Sequence, residues 1–170
     1  MNRDESHPDI GGRYAKFALT ILVVVYVFNF IDRQILSILA EEIQADLGIS
    51  DSGIGFLYGT AFAVFYSVVG IPLGRLADVW TRKNLISIGL ATWSFFTILS
   101  GTAKSFFFLA FCRIGVGIGE SSASPSAYSL LSDYFSPKVR TTVLAIYSSG
   151  VYIGSGIGLF LGGAIVDYWN

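Results

Sequence analysis

The stretch FALTILVVVYVFNFIDRQILSILA, residues 17–40, decides the fold class of this protein. It contains two charged side chains, Asp32 and Arg33, among large apolar residues. A run of about 20 apolar residues spans the hydrocarbon core of a bilayer as a helix. Four similar runs follow, and they cover residues 54–76, 85–103, 106–131 and 142–166. The sequence therefore predicts an all-α membrane protein with five transmembrane helices.

The composition agrees with a membrane protein and excludes several other classes. The chain has 170 residues, of which 53% are hydrophobic and 14% charged, and its mean hydropathy is +0.63. No basic patch is present, so a nucleic-acid partner is not predicted. The single cysteine, Cys112, lies in an apolar run, which excludes a disulfide framework. We see no nucleophile–base pair and no metal-ligand cluster, and we predict neither an enzyme nor a cofactor site.

The basic residues predict the orientation. They cluster before the first span and in alternate connections, at Arg3, Arg13, Lys16, Arg75, Arg82, Lys83, Lys138 and Arg140. The other connections hold Lys104 and the acidic Glu41, Glu42, Asp46 and Asp51. Because lysine and arginine stay on the cytoplasmic side, the N-terminus is predicted to be cytoplasmic. We expect residues 1–16 to form a disordered cytoplasmic tail, and the protein to lie in the plasma (inner) membrane as a multi-pass protein.

Four charged residues lie inside the apolar spans, namely Asp32, Arg33, Arg113 and Glu120. Each costs about 2.5–3.5 kcal/mol at the centre of a membrane helix, so such residues pair or line a water-filled cavity. From the rise per residue, Asp32 and Arg113 lie roughly 10–12 Å deep, which predicts an ion pair between them if their two helices touch. Glu120 lies two turns after Arg113 on nearly the same face. It is predicted to bind and release a proton during function.

Simpler interpretations of these residues remain open. The four charges could serve only to hold the helices together. Arg33 lies about 100° around the helix from Asp32, so it could face a different partner or reach outward to the interface. Pro125, five residues after Glu120, frees the carbonyl of Ser121. The resulting kink suits a substrate site, but it equally suits a proline whose freed backbone is satisfied by a neighbouring serine.

A glycine stripe marks the last predicted helix. Its members are four residues apart, at Gly150, Gly154, Gly158 and Gly162. This spacing places them on one face, where two membrane helices can approach closely. We predict a packing and sliding surface here, not a binding site.

The connection between the second and third spans has the order Gly-x-Leu-Ala-Asp followed by two basic residues. This order resembles the hallmark of the major facilitator superfamily, and the matching positions are Gly74, Leu76, Ala77, Asp78, Arg82 and Lys83. Val79 and Thr81 depart from the hallmark. A second resemblance is the pattern Arg113-x-x-x-Gly117-x-Gly119. The stretch 154–163 resembles the antiporter-type motif, with Leu159 in place of the usual proline.

Within that superfamily the chain is similar to the Spinster-like branch. The similarity lies in residues 29–33, residues 117–121 and the segment from Ser132 to Phe135. It implies a twelve-helix carrier in two halves, with proton-linked movement of small amphipathic or anionic substrates such as lysolipids. It also implies that Asp32, Arg33, Arg113 and Glu120 act in coupling. A cytoplasmic gate is implied to contain Gly74, Asp78, Arg82, Lys83, Asp133 and Arg140.

Two hypotheses follow for the whole chain. In the first, the five helices are an incomplete six-helix N-terminal half, residues 17–170, and the missing C-terminal half belongs to a longer protein. We then expect the chain alone to be an inactive fragment, since one half does not enclose a central cavity. In the second, the chain is a membrane regulator or assembly partner that binds other helices through its glycine-rich faces. No P-loop is present, which excludes an ATP-driven mechanism within this chain.

Overall fold

The computed structural model describes residues 11–169, and every regular element in this part of the chain is a helix. A short π-helical segment, residues 56–61, lies between the third and fourth α-helices. The α-helices are α1 (Arg13–Ile38), α2 (Ala40–Leu47), α3 (Asp51–Gly55), α4 (Phe62–Val79), α5 (Arg82–Ser100), α6 (Phe106–Ser121), α7 (Ala123–Tyr134) and α8 (Pro137–Trp169).

Within residues 11–169, four continuous helical stretches are long and apolar enough to cross a membrane. They are Arg13–Ile38, Asp51–Val79, Phe106–Tyr134 and Pro137–Tyr168. The all-α class with several membrane helices is therefore confirmed. The fifth predicted span corresponds to α5, whose first turn contains Arg82, Lys83 and Asn84 and lowers its mean hydropathy. The count of five spans stays a prediction.

The first helix begins earlier than the sequence predicted. Residues 1–10 lie outside the described part of the chain, so the disordered tail stays a prediction there. Helix α1 begins at Arg13, four residues before the predicted boundary at 17. Gly11 has a φ of 74°, which favours glycine, and its N–H donates to the carbonyl of Tyr134 at 2.9 Å. This bond ties the start of α1 to the end of α7.

The predicted connection between the first two spans contains a helix. Helix α2 places Ile43 and Leu47 against Leu57 and Leu109 in an apolar cluster. It ends at Gly48, which adopts the left-handed conformation with φ 61°, as is common after a helix. Its acidic residues Glu41 and Glu42 are exposed. We call this end of the bundle, with α2 and α3, the acidic end.

The fourth predicted span is interrupted where the sequence suggested a kink. Helices α6 and α7 meet at Ser122, three residues before Pro125. The Ser122 hydroxyl donates to the carbonyl of Gly119 at 2.9 Å, and that of Ser121 donates to Ile118 at 2.7 Å. Serine hydroxyls thus bond to the carbonyls of the last turn before the break, one turn ahead of the Ser121 carbonyl that Pro125 frees.

Two groups of helices organise the bundle. One is the pair of α1 and α8, and the other is α6 with α4 and α5. Helices α5 and α6 approach so closely that a Cβ atom on Gly119 would lie 2.6 Å from the backbone nitrogen of Trp93. A second apolar cluster, which includes Leu22, Ile86, Leu131 and Val143, packs α1, α5, α7 and α8 together. We call this end, where α4 joins α5 and α7 joins α8, the basic end. Asp32 and Arg33 of α1, and Arg113 and Glu120 of α6, lie between the two ends.

Candidate functional site

The centre of the bundle holds an ion pair between Arg33 of α1 and Glu120 of α6. The Arg33 Nε and Nη2 atoms donate to the same Glu120 oxygen, Oε2, at 2.9 and 2.5 Å. The Glu120 side chain is 0% exposed, whereas that of Arg33 is 32% exposed. The other carboxylate oxygen of Glu120, Oε1, is buried without a hydrogen-bond partner. The Glu120 carboxyl group is therefore enclosed, and the Arg33 side chain that contacts it extends to the surface.

Aromatic rings surround the cation. The Arg33 guanidinium carbon lies 4.6 Å from the ring centre of Phe62, 5.1 Å from that of Phe30 and 5.4 Å from that of Tyr66. A guanidinium over an aromatic face gains about 0.5–2 kcal/mol, more where water is excluded. The three rings therefore contact the cation in addition to its bond with Glu120.

The predicted ion pair between Asp32 and Arg113 is not formed, and that prediction was wrong. The Asp32 carboxylate instead accepts a hydrogen bond from the Thr97 hydroxyl of α5 at 3.1 Å. The Arg113 Nη2 atom donates to the Ser100 hydroxyl at 3.3 Å. The two charged groups line the same cavity without touching. The reason is the rotation of α1, which turns Arg33 toward α4 and α6 and leaves Asp32 facing α5.

Sequence reasoning missed two neighbours of the Arg33–Glu120 pair. The Asn29 side chain is 4% exposed and lies beside the Glu120 carboxyl. Tyr26, one turn before Phe30, stacks on Tyr147 of α8 at 4.5 Å between ring centres. Positions 26, 29, 30 and 33 occupy one face of α1, since residues three and four apart point the same way. That spacing of polar and aromatic residues was visible in the sequence and could have identified this face.

The residues implied in a cytoplasmic gate lie near the basic end, and the structure joins some of them. Arg82 forms an ion pair with Asp133 of α7 and donates through Nε to the carbonyl of Ala77 at 3.2 Å. Arg140 donates to the carbonyl of Ser132 at 2.7 Å. Asp78 and Lys83 are exposed, and Gly74 has open space beside it. These contacts link the α4–α5 connection to the end of α7.

The glycine stripe of α8 lies directly against α1. A Cβ atom on Gly154 would meet the carbonyl oxygen of Val27 and lie 2.8 Å from Cβ of Phe30, and one on Gly158 would lie 2.7 Å from Cβ of Gln34. Gly150 and Gly162 also face residues of α1, Tyr26 and Ile38 respectively. This face is therefore occupied within the chain. In the part of the chain that the structure describes, no cluster of His, Cys, Asp and Glu suits a metal ion.

Removing Arg33 should destabilise the protein more than removing both partners. Arg33→Ala leaves the enclosed Glu120 carboxyl without its cation, and we expect the free energy of unfolding to fall by about 3 kcal/mol. The double variant Arg33→Ala/Glu120→Gln should recover part of this loss, because no buried charge is left unpaired. Thermal melting followed by tryptophan fluorescence measures both effects.

The ion pair at the basic end supplies the control for that experiment. Asp133 is 60% exposed, so Arg82→Ala should lower the free energy of unfolding by less than about 1 kcal/mol. Equal losses for Arg33→Ala and Arg82→Ala, or a double variant as unstable as the sum of its singles, would contradict a special role for the enclosed pair.

Comparison with known proteins identifies the family. The family model described as Major Facilitator Superfamily matches residues 22–170. The chain belongs to the major facilitator superfamily. The resemblance to Spinster proteins is also confirmed. A solved structure, described as a bacterial homologue of the human lysosomal transporter Spinster in an inward-facing and unoccupied conformation, shares 39% sequence identity with a TM-score of 0.86. It is matched over 89% of this chain and 32% of its own chain.

Two curated relatives of this superfamily member are transporters. An MFS-type efflux pump of Mycolicibacterium smegmatis is 36% identical over 96% of this chain and 38% of its own length. The sphingosine-1-phosphate transporter SPNS2 of Danio rerio is 33% identical over 89% of this chain and 31% of its own length. The chain thus spans about a third of the length of these relatives. Both of these relatives are named as proteins that transport molecules.

Proposed function

We propose that this chain is the N-terminal part of a proton-coupled secondary carrier of the major facilitator type. The observation that supports coupling is the asymmetry of the Arg33–Glu120 pair. The acidic side chain, Glu120, is enclosed, whereas the cationic side chain, Arg33, is partly exposed. Protonation of Glu120 removes the negative charge that holds Arg33. The guanidinium, still positioned by Phe30, Phe62 and Tyr66, then becomes available to an anionic group. Proton binding and release of Arg33 are in this way the same event.

The same group of residues suits a small amphipathic or anionic substrate. A guanidinium binds carboxylate or phosphate through two parallel hydrogen bonds, and the adjacent aromatic rings can contact an apolar portion. A lysolipid has both parts. The Danio rerio relative is named for transport of sphingosine-1-phosphate, which also combines a phosphate with an apolar chain. Asp32, the residue before Arg33 on α1, and Arg113, two helix turns before Glu120 on α6, act as further coupling residues in this proposal.

The rest of the carrier comes from a partner half. Large apolar side chains are exposed on both α4 and α8, including Ile71 at 66% and Phe160 at 76%. Some of these contact lipid and others contact the second half. We propose that the carrier lies in the plasma (inner) membrane with the basic end toward the cytoplasm, as the lysine and arginine distribution favours. Arg82, Asp133 and Arg140 then act in the cytoplasmic gate, and the α1–α8 contact acts in packing.

The alternative of a non-transport regulator that binds other helices through its glycine faces has less support. The four glycines of the stripe, Gly150, Gly154, Gly158 and Gly162, already lie against α1 within this chain. A stripe that is buried inside the bundle is not accessible to another protein. We therefore prefer the carrier.

Transport by the complete protein tests this function. The full-length carrier, reconstituted in vesicles with an imposed pH gradient, should accumulate or expel a labelled lysolipid or sphingosine phosphate. Dissipation of the gradient with a protonophore should reduce transport to the rate of passive exchange, because the proton supplies the driving force. Equal rates with and without the gradient would contradict proton coupling. Absence of movement for every amphipathic anion tested would contradict the substrate class.

A further inference from the structure

Two cavities share the Arg113 side chain as part of their lining. The first, of about 350 Å³, opens near the acidic end between α1, α2, α5 and α6. The second, of about 150 Å³, lies beside Arg33 between α1, the π-helical segment and α4. Arg113 and Leu36 line both cavities. The first cavity reaches the acidic end and the second reaches Arg33, so the two together extend from the acidic end toward the ion pair.

Both cavities are lined by polar groups that can hold water. The first is bordered by the Asp32 carboxylate, the hydroxyls of Thr97 and Ser100, and Asp46 at its acidic-end margin. The second is bordered by the guanidinium of Arg33 and by Tyr58. A water molecule in a protein needs two to four polar partners and occupies about 30 Å³ of liquid volume. Each cavity meets both conditions, and the first has room for several molecules.

The side chain between the cavities has an unsatisfied donor. Arg113 is 4% exposed, and its Nε atom is buried without a hydrogen-bond partner. A buried N–H of a charged group that lacks an acceptor carries a substantial desolvation penalty. Since Nη2 reaches Ser100 and Nε reaches no protein atom, a water molecule in an adjoining cavity is the acceptor that this geometry accommodates.

We infer that water connects the acidic end of the bundle to the Arg33–Glu120 pair through these two cavities, with the Arg113 guanidinium as the partition. The residues that line this passage all belong to the N-terminal part described here. Its consequence for coupling rests on the proposed function, since it gives protons a way to the pair from the side opposite the cytoplasmic gate. The passage itself does not depend on what the carrier transports.

Thiol labelling tests the passage directly. In the full-length carrier, freed of native cysteines by changes that include Cys112→Ala, single cysteines are introduced at Leu36, which borders both cavities, and at Ser100, which borders the first. Ala103→Cys, also on the first cavity, replaces Ser100→Cys if that variant does not fold. The probe is a charged, membrane-impermeant methanethiosulfonate reagent, added to one side of oriented vesicles at a time.

Two further variants supply the reference rates. Phe111→Cys is the matched control, because Phe111 lies two residues before Arg113 on the same helix but is 55% exposed on the apolar outside of the bundle. Glu41→Cys marks the side on which the acidic end lies, since Glu41 is exposed on α2. A thiol in lipid stays protonated and unreactive, whereas one in contact with water forms the thiolate that reacts.

We expect Leu36→Cys and Ser100→Cys to react from the Glu41 side at least about tenfold faster than Phe111→Cys, because only water-accessible thiols ionise. The passage is overturned if neither reacts faster than the control. It is also overturned if Leu36→Cys reacts from the opposite side alone, or if only Ser100→Cys reacts. Proton-driven transport without labelling would overturn the passage and leave the proposed function intact. Labelling without proton-driven transport would contradict the proposed function and leave the passage intact.

Discussion

Glu120→Gln is expected to abolish transport driven by a pH gradient while leaving substrate binding measurable. Glutamine has nearly the shape of glutamate and keeps a carbonyl oxygen for Arg33, so the packing around this enclosed position is retained. It does not ionise, and the Arg33 guanidinium no longer alternates between a charged and a neutral partner. The carrier should then behave as if Glu120 were permanently protonated. Gradient-driven flux in vesicles and equilibrium binding of the labelled substrate measure the two properties separately.

The matched control for this change is Glu42→Gln. Glu42 is exposed on α2, outside the ion pair, and the same change there should leave driven transport at the wild-type rate. If Glu120→Gln retains gradient-driven transport, Glu120 is not the coupling acid and Asp32 becomes the next candidate. If Glu120→Gln loses binding as well as transport, the carboxyl group has a structural or substrate-contacting role and the coupling model fails.

The apolar runs predicted the helices well because the membrane leaves a chain few alternatives. A bilayer offers no hydrogen bonds to the backbone, so an apolar run long enough to cross it forms a helix whatever its neighbours. The starts and ends depend on local contacts instead. Gly11, for example, bonds to Tyr134, and this tertiary contact extends the bundle beyond the boundary at residue 17. Helix α2 could have been found, because Leu39, Ile43 and Leu47 recur every four residues between the acidic positions.

The pairing of charges could not be predicted in the same way. The rise per residue gives the depth of a side chain along its own helix, and on depth alone Asp32 and Arg113 matched. Which of two adjacent residues meets a neighbouring helix depends on rotation about the helix axis. Here that rotation is fixed by the close contact of α8 with the Val27 and Phe30 side of α1, which is a tertiary feature. The charges inside the membrane were therefore found from the sequence, but their partners were not.

The π-helical segment was equally beyond sequence reasoning. Residues 56–61 contain no proline, and an apolar pattern does not distinguish one extra residue per turn. In the structure this segment positions Tyr58, whose hydroxyl donates to the carbonyl of Leu36 on α1. It also precedes Phe62, the ring nearest to the Arg33 guanidinium. A local irregularity in one helix thus helps to form the wall of the ion-pair site.

Gly154→Ala should destabilise the protein, whereas Gly156→Ala should not. The new methyl group at position 154 would collide with the backbone carbonyl of Val27 and lie 2.8 Å from Cβ of Phe30, so neither contact is relieved by a side-chain rotation. Helix α1 would have to move away, and overpacking of this kind costs about 1–3 kcal/mol. At position 156 a Cβ atom meets nothing within 4 Å. Alanine there should raise the free energy of unfolding by up to about 1 kcal/mol, because it is the better helix former.

The two variants differ by the same methyl group on the same helix, so opposite signs of the change in melting temperature are the diagnostic result. A displacement of α1 would also move Arg33, which lies one turn beyond Phe30, away from Glu120. Gly154→Ala should therefore reduce gradient-driven transport even at temperatures where the protein remains folded, and Gly156→Ala should leave it unchanged. Equal melting temperatures for the two variants would mean that α1 and α8 are not held at the distance the structure gives. Equal transport with unequal melting would mean that the α1–α8 contact stabilises the bundle without positioning the ion pair.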